Sequence, residues 1–461
     1  MSAGRVRTAA FYLALLAMAG LIAGAPALSA AWGGLSPEGL RALAILAFAV
    51  ASWCFGLAPI AVTALVVLAV IPFSGLMGFS EVIAASFGDS TFAFFLGVLL
   101  LSAAFQKTAL GRVLTLLLFR AFGKRPRALV LGILLAGAAL AMWVTEVASA
   151  AILFPIVLSV VEQTRARPDH RRLGRVLMMA VAWGPAFGGV ATPIATGANL
   201  IAVRYMQQQA GITISFGQWM QIGVPIMLSL LAAGWLLLSR GIRDNSPLVL
   251  EDDMPPMGRR EWTLLAVFLG AVALWVAGDA VGLSSHHVAL LAAALLFLPG
   301  LEVLDWKEAV QSISWDSIIL ICSGIVIGDL LYRYGLAETL AGLAFFRPLL
   351  RVNGFVTACY IVLAISVLKV LFSSNTVTGV ILVPIMIRLA GEMGASAWSF
   401  VAPCIFSSAL SFIVITSSPV NVIPYSAGYF TPGEMARQGV GMTLAAAVLI
   451  AVWLTVFGVM G

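Results

Sequence analysis

Polar side chains of types that bind ions interrupt two long apolar stretches of this chain. Thr145 and Glu146 lie in the middle of the first stretch, and Ser374, Asn375 and Thr376 lie in the middle of the second. Carboxylate and amide oxygens are ligands for hard cations, and an Asn amide also donates hydrogen bonds to anions. Because such groups are costly in an apolar environment, we expect them to line a cavity or to be paired inside the protein.

The chain that carries these residues has the composition of an integral membrane protein. Of its 461 residues, 61% are apolar and only 10% are charged, which excludes a water-soluble globular protein. The net charge of +6 comes without a basic polar domain, so the expected partner is the lipid bilayer and not a nucleic acid. Long apolar runs favour helices over a barrel. We predict an all-α polytopic protein with about 11 transmembrane helices plus two re-entrant hairpins.

The two interrupted stretches do not have the length of simple membrane crossings. The run from Ala128 to Val161 is too long for one crossing of about 20 residues and short for two, and arginines flank both of its ends. We therefore predict a re-entrant helical hairpin over residues 128–162, with its tip inside the protein. A second hairpin is predicted over residues 354–391, opening towards the other side, with Phe372 and Ser373 at its tip.

The distribution of positive charge predicts the orientation in the membrane. Loops assigned to one side hold 19 of the 26 Lys and Arg, and this side is cytoplasmic by the positive-inside rule. The protein is expected in the cell (inner) membrane. Arg5 and Arg7 put its N-terminus in the cytoplasm, and its C-terminus is expected outside the cell. The first apolar run, from Thr8 to Leu28, resembles a signal peptide at its end, but we interpret it as a retained helix.

A helix-length segment with an interruption near its middle follows each hairpin. Residues 173–203 contain Gly188, Gly189 and Pro193, and residues 398–427 contain an interruption around Pro419. Pro removes a backbone donor and Gly loosens a helix, so the freed carbonyl groups need other partners. A bound ion or substrate is one such partner. A packing kink with Ser or Thr bonded back to the helix is the alternative.

The two halves of the chain share a spacing that indicates duplication. Four positions recur at offsets between 222 and 229 residues: Asp89 as Asp316, Thr145 as Ser374, Pro155 as Pro384 and Asn199 as Asn421. Counting the crossings gives opposite directions in the two halves, which is the inverted-topology repeat of secondary transporters. A chance likeness of apolar segments is the alternative. The predicted organisation is a first helix over 1–40, repeats over 41–240 and 261–461, and a cytoplasmic linker over 241–260.

These motifs resemble the divalent anion/sodium symporter family, whose members carry dicarboxylates, citrate or sulfate. The family has a Ser-Asn-Thr motif at the tip of each hairpin, followed by Pro, and a broken helix after each hairpin. Ser374, Asn375 and Thr376 with Pro384 match the second copy. The resemblance implies transport of a small anion by alternating access, coupled to Na⁺, in a homodimer.

The resemblance also implies which residues contact substrate and ions. Substrate contacts are expected at both hairpin tips and both helix breaks: Asn375, Thr376, Pro419, Thr145, Glu146 and Thr196. Sodium ligands, which include backbone carbonyls, are expected at neighbouring positions: Thr145, Glu146 and Ala195 in the first half, and Ser374, Asn375 and Ser417 in the second. A transition-metal site is not expected.

Two charged residues do not fit the family pattern. Where the first Ser-Asn-Thr is expected, the chain has Thr145, Glu146 and Val147. Glu146 is expected either to bind sodium or to carry a proton. Lys369, five residues before Ser374, is expected to replace the charge of a sodium ion, to attract the anion or to pair with Glu146. The alternative is a side chain that extends along the hairpin to the membrane surface.

The sequence is also compatible with functions other than a symporter. A proton-coupled antiporter or exchanger that uses Glu146 is the nearest alternative, and a channel or an intramembrane enzyme is a more distant one. An enzyme needs an acid/base pair or a metal cluster, and apart from Glu146 and Lys369 the sequence offers little of either. Asp89 and Asp316 are predicted to cap the helices that follow them.

Overall fold

The computed structural model describes residues 3–32, 34–248, 254–342, 353–370 and 374–460, and within these ranges the regular elements are helices. The first half contains α1 (Ala3–Trp32), α2 (Pro37–Phe55), α3 (Ile60–Phe73), α4 (Phe79–Ser86), α5 (Ser90–Lys107), α6 (Leu110–Phe122), α7 (Pro126–Ala141), α8 (Glu146–Gln163), α9 (His170–Gly188), α10 (Gly197–Ala210) and α11 (Phe216–Ser239). The second half contains α12 (Arg259–Val281), α13 (Ser285–Leu295), α14 (Trp306–Ser312), α15 (Trp315–Arg333), α16 (Leu336–Gly342), α17 (Gly354–Leu368), α18 (Asn375–Glu392), α19 (Ala397–Ser408), α20 (Pro419–Tyr425) and α21 (Pro432–Val456). The predicted tip residues Phe372 and Ser373, and residues 249–253 of the linker, lie outside the described residues.

The lengths of these helices confirm an all-α polytopic membrane protein. Among the described residues, nine helices are long and apolar enough to cross a bilayer. Five shorter apolar helices of 10–17 residues accompany them, and they include α7 and α17, the first arms of the two predicted hairpins.

Each predicted hairpin consists of two helices that pack on the first part of the following broken helix. Helices α7 and α8 are joined at residues 142–145 and both contact α9. Helices α17 and α18 likewise both contact α19. The bounds of the four helices agree with the predicted segments 128–162 and 354–391 to within about two residues.

The contacts between the two halves are exchanged in corresponding pairs. Helix α10, the second part of the first broken helix, packs on α18 of the other half, and α20 packs on α8 in return. In the same way α3 packs on α15, and α13 packs on α5. Two copies of one unit, related by a pseudo-two-fold axis, give such reciprocal contacts. The boundaries of the repeats and their directions in a membrane remain predictions.

The helix breaks are closed by a pair of equivalent asparagines. Asn199 Nδ2 donates to the carbonyls of Gly189 and Thr192 at 2.8 and 2.9 Å. Asn421 Nδ2 donates to the carbonyls of Ser411 and Val414 at 2.7 and 3.4 Å. Part of the freed backbone is therefore satisfied by an Asn side chain, a partner that the sequence analysis did not consider.

The second break starts earlier in the chain than the sequence indicates. Helix α19 ends at Ser408, and a short 3-10 turn at Ile415–Ser417 precedes α20. The hydroxyls of Ser407 and Ser408 bond back to carbonyls of their own helix, which competes with helix continuation. The break therefore begins at Ser408, well before Pro419, and both serine hydroxyls at this end are bonded back to their own helix.

The predicted caps are partly correct. Asp89 is the N-cap of α5 and accepts from the Thr91 amide at 2.8 Å, as predicted. The prediction for Asp316 is wrong, because Ser314 is the N-cap of α15 and its hydroxyl accepts from the Ser317 amide. Asp316 instead lies in the first turn and faces the central cavity described below.

Candidate site for anions and cations

A cavity of about 410 Å³ lies where both hairpins and both broken helices meet. It brings together eight of the residues predicted for substrate or ions: Thr145, Glu146, Ala195, Thr196, Ser374, Asn375, Thr376 and Pro419. Ser417 lies apart from them, in a small neighbouring cavity that Lys369 also lines. The halves approach closely here, since a β-carbon on Gly197 would lie 2.7 Å from the Thr376 hydroxyl.

The helices that begin at this cavity direct their N-terminal ends towards it. Thr145, Thr196 and Ser374 are the N-caps of α8, α10 and α18, and each side chain accepts from a backbone amide of the first turn. The first amides of a helix have no partner within the helix, and the macrodipole adds partial positive charge. Three helix N-termini from the two halves therefore favour an anion at this part of the cavity wall, while Glu146 and Asp316 add carboxylates elsewhere on it.

Glu146, Asn375 and Lys369 form a hydrogen-bonded chain across the two hairpins. Asn375 Nδ2 donates to Glu146 Oε2 at 2.9 Å, and Lys369 Nζ donates to Asn375 Oδ1. The same ammonium donates to the carbonyl of Ser408 at the end of α19. Lys369 is only 1% exposed and Glu146 only 4%, so the interpretation that Lys369 extends to the surface is wrong.

The second carboxylate oxygen of Glu146 is buried and has no hydrogen-bond partner among the described residues. It points at the first helix break, where a β-carbon on Gly189 would collide with it. Gly189 has ordinary helical dihedral angles, φ −56° and ψ −23°, so a side chain here is disfavoured by the position of the Glu146 carboxylate and not by the backbone conformation. An unpaired buried carboxylate oxygen is costly, and a cation or a proton at this position removes that cost.

The two halves of the chain therefore differ in the side-chain oxygens that they offer to a sodium ion. In the first half, the unpaired Glu146 oxygen faces the break that also carries Ala195, and this donor set fits a hard cation. In the second half, the amide oxygen of Asn375 already accepts from Lys369. A sodium ligand predicted from the sequence is thus engaged by a lysine of the same chain.

A wider cavity of about 880 Å³ adjoins the central one and shares Gln106 and Ala151 with it. Its wall carries Arg112, Arg120 and Lys124, which belong to the loops predicted to be cytoplasmic. Basic residues that line a passage raise the local concentration of anions. The central site thus has an approach that favours negative charge.

The sequence did not reveal a buried ion-pair cluster on α10, the helix that begins at the cavity with Thr196 as its N-cap. Arg204 of α10 pairs with Asp89 at 2.8 Å and with Asp329 of α15 at 3.1 Å. Its side chain is only 6% exposed. Both Arg204 and Asp329 interrupt apolar segments, and charged residues in such positions are a sequence signal for buried ion pairs.

Comparison with known proteins gives consistent relatives over nearly the whole chain. The sodium-dependent dicarboxylate transporter SdcS of Staphylococcus saprophyticus is 25% identical over 452 residues, covering 90% of this chain and 85% of that protein. The Na(+)/dicarboxylate cotransporter 3 of Rattus norvegicus is 24% identical over 529 residues, covering 90% of this chain and 87% of that protein.

Solved structures of transporters share the fold. The YdaH transporter of Alcanivorax borkumensis matches with a TM-score of 0.60 at 17% identity, over 83% of this chain and 89% of that one. MtrF of Neisseria gonorrhoeae matches with a TM-score of 0.51 at 12% identity, over 80% of this chain and 81% of that one. At these identities the likeness shows the fold alone.

The family itself follows from a match over the length of the chain. The family described as "Sodium:sulfate symporter transmembrane region" matches residues 7–460, which include both hairpins, both broken helices and the cavity between them. Its members are membrane transporters and not enzymes. The chain therefore belongs to the sodium:sulfate symporter family, the divalent anion/sodium symporters.

Proposed function

We propose that this protein is a secondary active transporter that moves a small anion across the cell membrane by alternating access, coupled to sodium. The substrate class is a dicarboxylate, citrate or sulfate. The observation that carries the proposal is the convergence of three helix N-termini, from both halves of the chain, on one cavity. The named dicarboxylate transport of the relatives favours a dicarboxylate among these anions.

The anion site is formed by groups that donate hydrogen bonds. The backbone amides of the first turns are the principal donors, together with the Thr376 hydroxyl and the second amide hydrogen of Asn375. Thr196 and Pro419, which lie at the two helix breaks, also line the cavity. The volume of about 410 Å³ is of the size that binds small organic ligands.

Sodium is assigned to the first half of the chain. The unpaired oxygen of Glu146 supplies a charged ligand, and the side of the cavity with Thr145 and Ala195 supplies neutral oxygens. A cation bound there offsets the repulsion between the Glu146 carboxylate and a dianion in the same cavity. Binding of the ion before the anion follows from this charge balance.

Access to the site is assigned to the cytoplasmic side. The wider cavity with Arg112, Arg120 and Lys124 leads to the site from the side predicted to be cytoplasmic, which corresponds to an inward-facing state. The location in the cell membrane, the cytoplasmic N-terminus, the outer C-terminus and the homodimer remain predictions from charge distribution and family resemblance.

Proton coupling through Glu146 is the second candidate. It is favoured by the burial of Glu146 and by its unpaired oxygen, since a protonated carboxyl group removes the same cost as a bound cation. In such an exchanger or antiporter the proton leaves Glu146 when the carrier changes its orientation. The two candidates differ in which gradient drives uptake.

Uptake of labelled succinate, citrate and sulfate into proteoliposomes tests the proposal. We expect saturable uptake of at least one of these anions, driven by an inward sodium gradient and not by a proton gradient. Thr376→Val should raise KM by roughly 10- to 150-fold, because a hydrogen bond to a charged group contributes about 1.5–3 kcal/mol. The matched control is Thr115→Val, a buried threonine whose hydroxyl bonds to its own helix.

Three outcomes would contradict the proposal. Uptake driven by the proton gradient alone would contradict sodium coupling and support proton coupling through Glu146. Absence of uptake of all three anions by folded protein removes the anion assignment. An unchanged KM in Thr376→Val removes Thr376 from the substrate site, even if transport itself is sodium-dependent.

A further inference from the structure

The oxygen atoms around the Lys369 ammonium have the composition of a site for a monovalent cation. The ammonium donates to the amide oxygen of Asn375 and to the carbonyl of Ser408, which are both neutral groups. The hydroxyl of Ser411 lines the same small cavity, is buried and has no hydrogen-bond partner among the described residues. Neutral amide, carbonyl and hydroxyl oxygens are ligands that hard cations take in proteins.

The C-terminal end of α19 favours positive charge at the Lys369 ammonium. Ser408 is the last residue of α19, and Lys369 itself is the C-cap of α17. The C-terminal end of a helix carries partial negative charge. The ammonium thus contacts the C-terminal end of α19 and belongs to the residue that caps α17, whereas the backbone N-termini of α8 and α18 face the anion cavity.

The charge of Lys369 is balanced through Asn375. The amide of Asn375 accepts from Lys369 on one side and donates to Glu146 on the other, so its orientation is fixed by both charges. Glu146 and Lys369 belong to different halves of the chain. Each half therefore contributes one charge to the centre, a cation from the second and an anion from the first.

We propose that Lys369 is a tethered cation that fills a monovalent-cation site in the second half of the chain, so that no sodium ion binds there. Its ammonium takes the place of the ion expected near Ser374, Asn375 and Ser417. Of the two sodium sites predicted from the sequence, the one at Glu146 is then left for a dissolved ion. The consequence for ion coupling rests on the proposed function, but the occupancy of the site by Lys369 does not.

If the Lys369 ammonium is removed by mutation, the site that it fills should bind a sodium ion from solution. The test compares Glu146→Gln with the double variant Glu146→Gln/Lys369→Ala. Glu146→Gln removes the proposed sodium site of the first half. The double variant removes both charges of the centre, so that neither is left unbalanced. Thermal unfolding of the purified proteins is followed while sodium replaces choline. We expect no sodium effect for Glu146→Gln, and for the double variant a rise in the unfolding midpoint on the order of 2 °C at saturating sodium.

Two further proteins make the comparison specific. Glu146→Gln/Lys369→Met keeps an apolar stem in the space and should not respond to sodium. Lys307→Ala, which removes an exposed lysine, should behave as the wild type. Equal sodium responses of the Ala and Met double variants, or no response of the Ala double variant, would overturn the proposal.

The single variant Lys369→Ala adds a chemical rescue. We expect it to be less stable in choline and to be restored by sodium or by methylammonium, which supplies the missing ammonium group. A variant that neither cation restores contradicts the proposal. In uptake assays, Lys369→Ala should show a steeper sodium dependence than the wild type.

Failures of the two proposals are distinguishable. If the double variant binds sodium as described but no anion is transported, the tethered cation stands and the proposed function fails. If anion uptake is sodium-dependent but sodium stabilises Glu146→Gln and the double variant alike, the proposed function stands and the tethered cation fails.

Discussion

The unpaired carboxylate oxygen of Glu146 occupies the space that a side chain on Gly189 would need. The two residues belong to the first hairpin and to the first broken helix, which meet at this point. The contact explains why glycine suits the break here although its backbone conformation is helical. It also provides a way to disturb the proposed sodium ligand without removing its charge.

Gly189→Ala should weaken sodium binding. The added methyl group displaces the carboxylate, and overpacking costs about 1–3 kcal/mol, so the sodium concentration for half-maximal uptake should rise by roughly 5- to 150-fold. Sodium-dependent uptake is the measurement. Gly270→Ala is the control, because its β-carbon meets no atom within 4 Å. Unchanged sodium affinity in Gly189→Ala would separate Glu146 from the ion site.

Glu146→Gln should change the ion dependence of uptake. The amide removes the negative charge and the site for a proton, but retains nearly the same shape. Loss of sodium dependence supports the ion role, and loss of pH dependence supports the proton role. Glu162→Gln changes the same group near the end of the same helix and should leave both dependences intact. If Glu146→Gln leaves both unaltered as well, the role of Glu146 is structural.

Asn375→Ala should abolish transport but leave a folded protein. The change removes the acceptor of Lys369, the donor to Glu146 and the amide hydrogen assigned to the substrate. Uptake and the size-exclusion profile are measured together. Asn245→Ala in the loop before the second half is the matched control and should transport normally. Wild-type uptake by Asn375→Ala would exclude Asn375 from the site.

Arg204→Ala should lower the stability of the protein. It leaves Asp89 and Asp329 without their buried partner, a change that costs about 3–5 kcal/mol. The midpoint of thermal unfolding should fall by several degrees. Arg388→Ala removes an ion pair in which both side chains are about half exposed, and its effect should stay within about 1 kcal/mol. Similar shifts for the two variants would show that burial does not strengthen the Arg204 cluster.

The outline of the fold could be predicted because apolar run lengths and polar interruptions carry most of the information. The arms of both hairpins follow from the runs around Thr145 and Ser374, and the reciprocal helix contacts agree with the spacing of the repeat. Helix bounds were less accurate where small polar residues compete. Helix α19 ends earlier than predicted, at Ser408, and Ser314 replaces Asp316 as a cap, because a hydroxyl accepts from the backbone amides of a first turn as a carboxylate does.

The partners of buried charges could not be predicted in the same way. Lys369 contacts the carbonyl of Ser408, 39 residues away, and Arg204 contacts Asp329, 125 residues away. Which oxygen lies near a given cation depends on where helix ends come to rest after packing. The sequence indicated that these charges were unusual, but it did not show that Lys369 turns inward.

The proposed role of Lys369 as a tethered cation has a consequence for how steep an anion gradient the proposed carrier can maintain. A charge fixed to the polypeptide returns with it in every cycle and releases no free energy from the sodium gradient. Each dissolved sodium ion that is released inside multiplies the attainable anion ratio by the sodium ratio, so a tenfold sodium gradient gives about tenfold accumulation for one ion and about a hundredfold for two, before the membrane potential is included. A carrier with one such ion therefore reaches equilibrium at a lower anion ratio than a carrier with two, and reverses direction above that ratio.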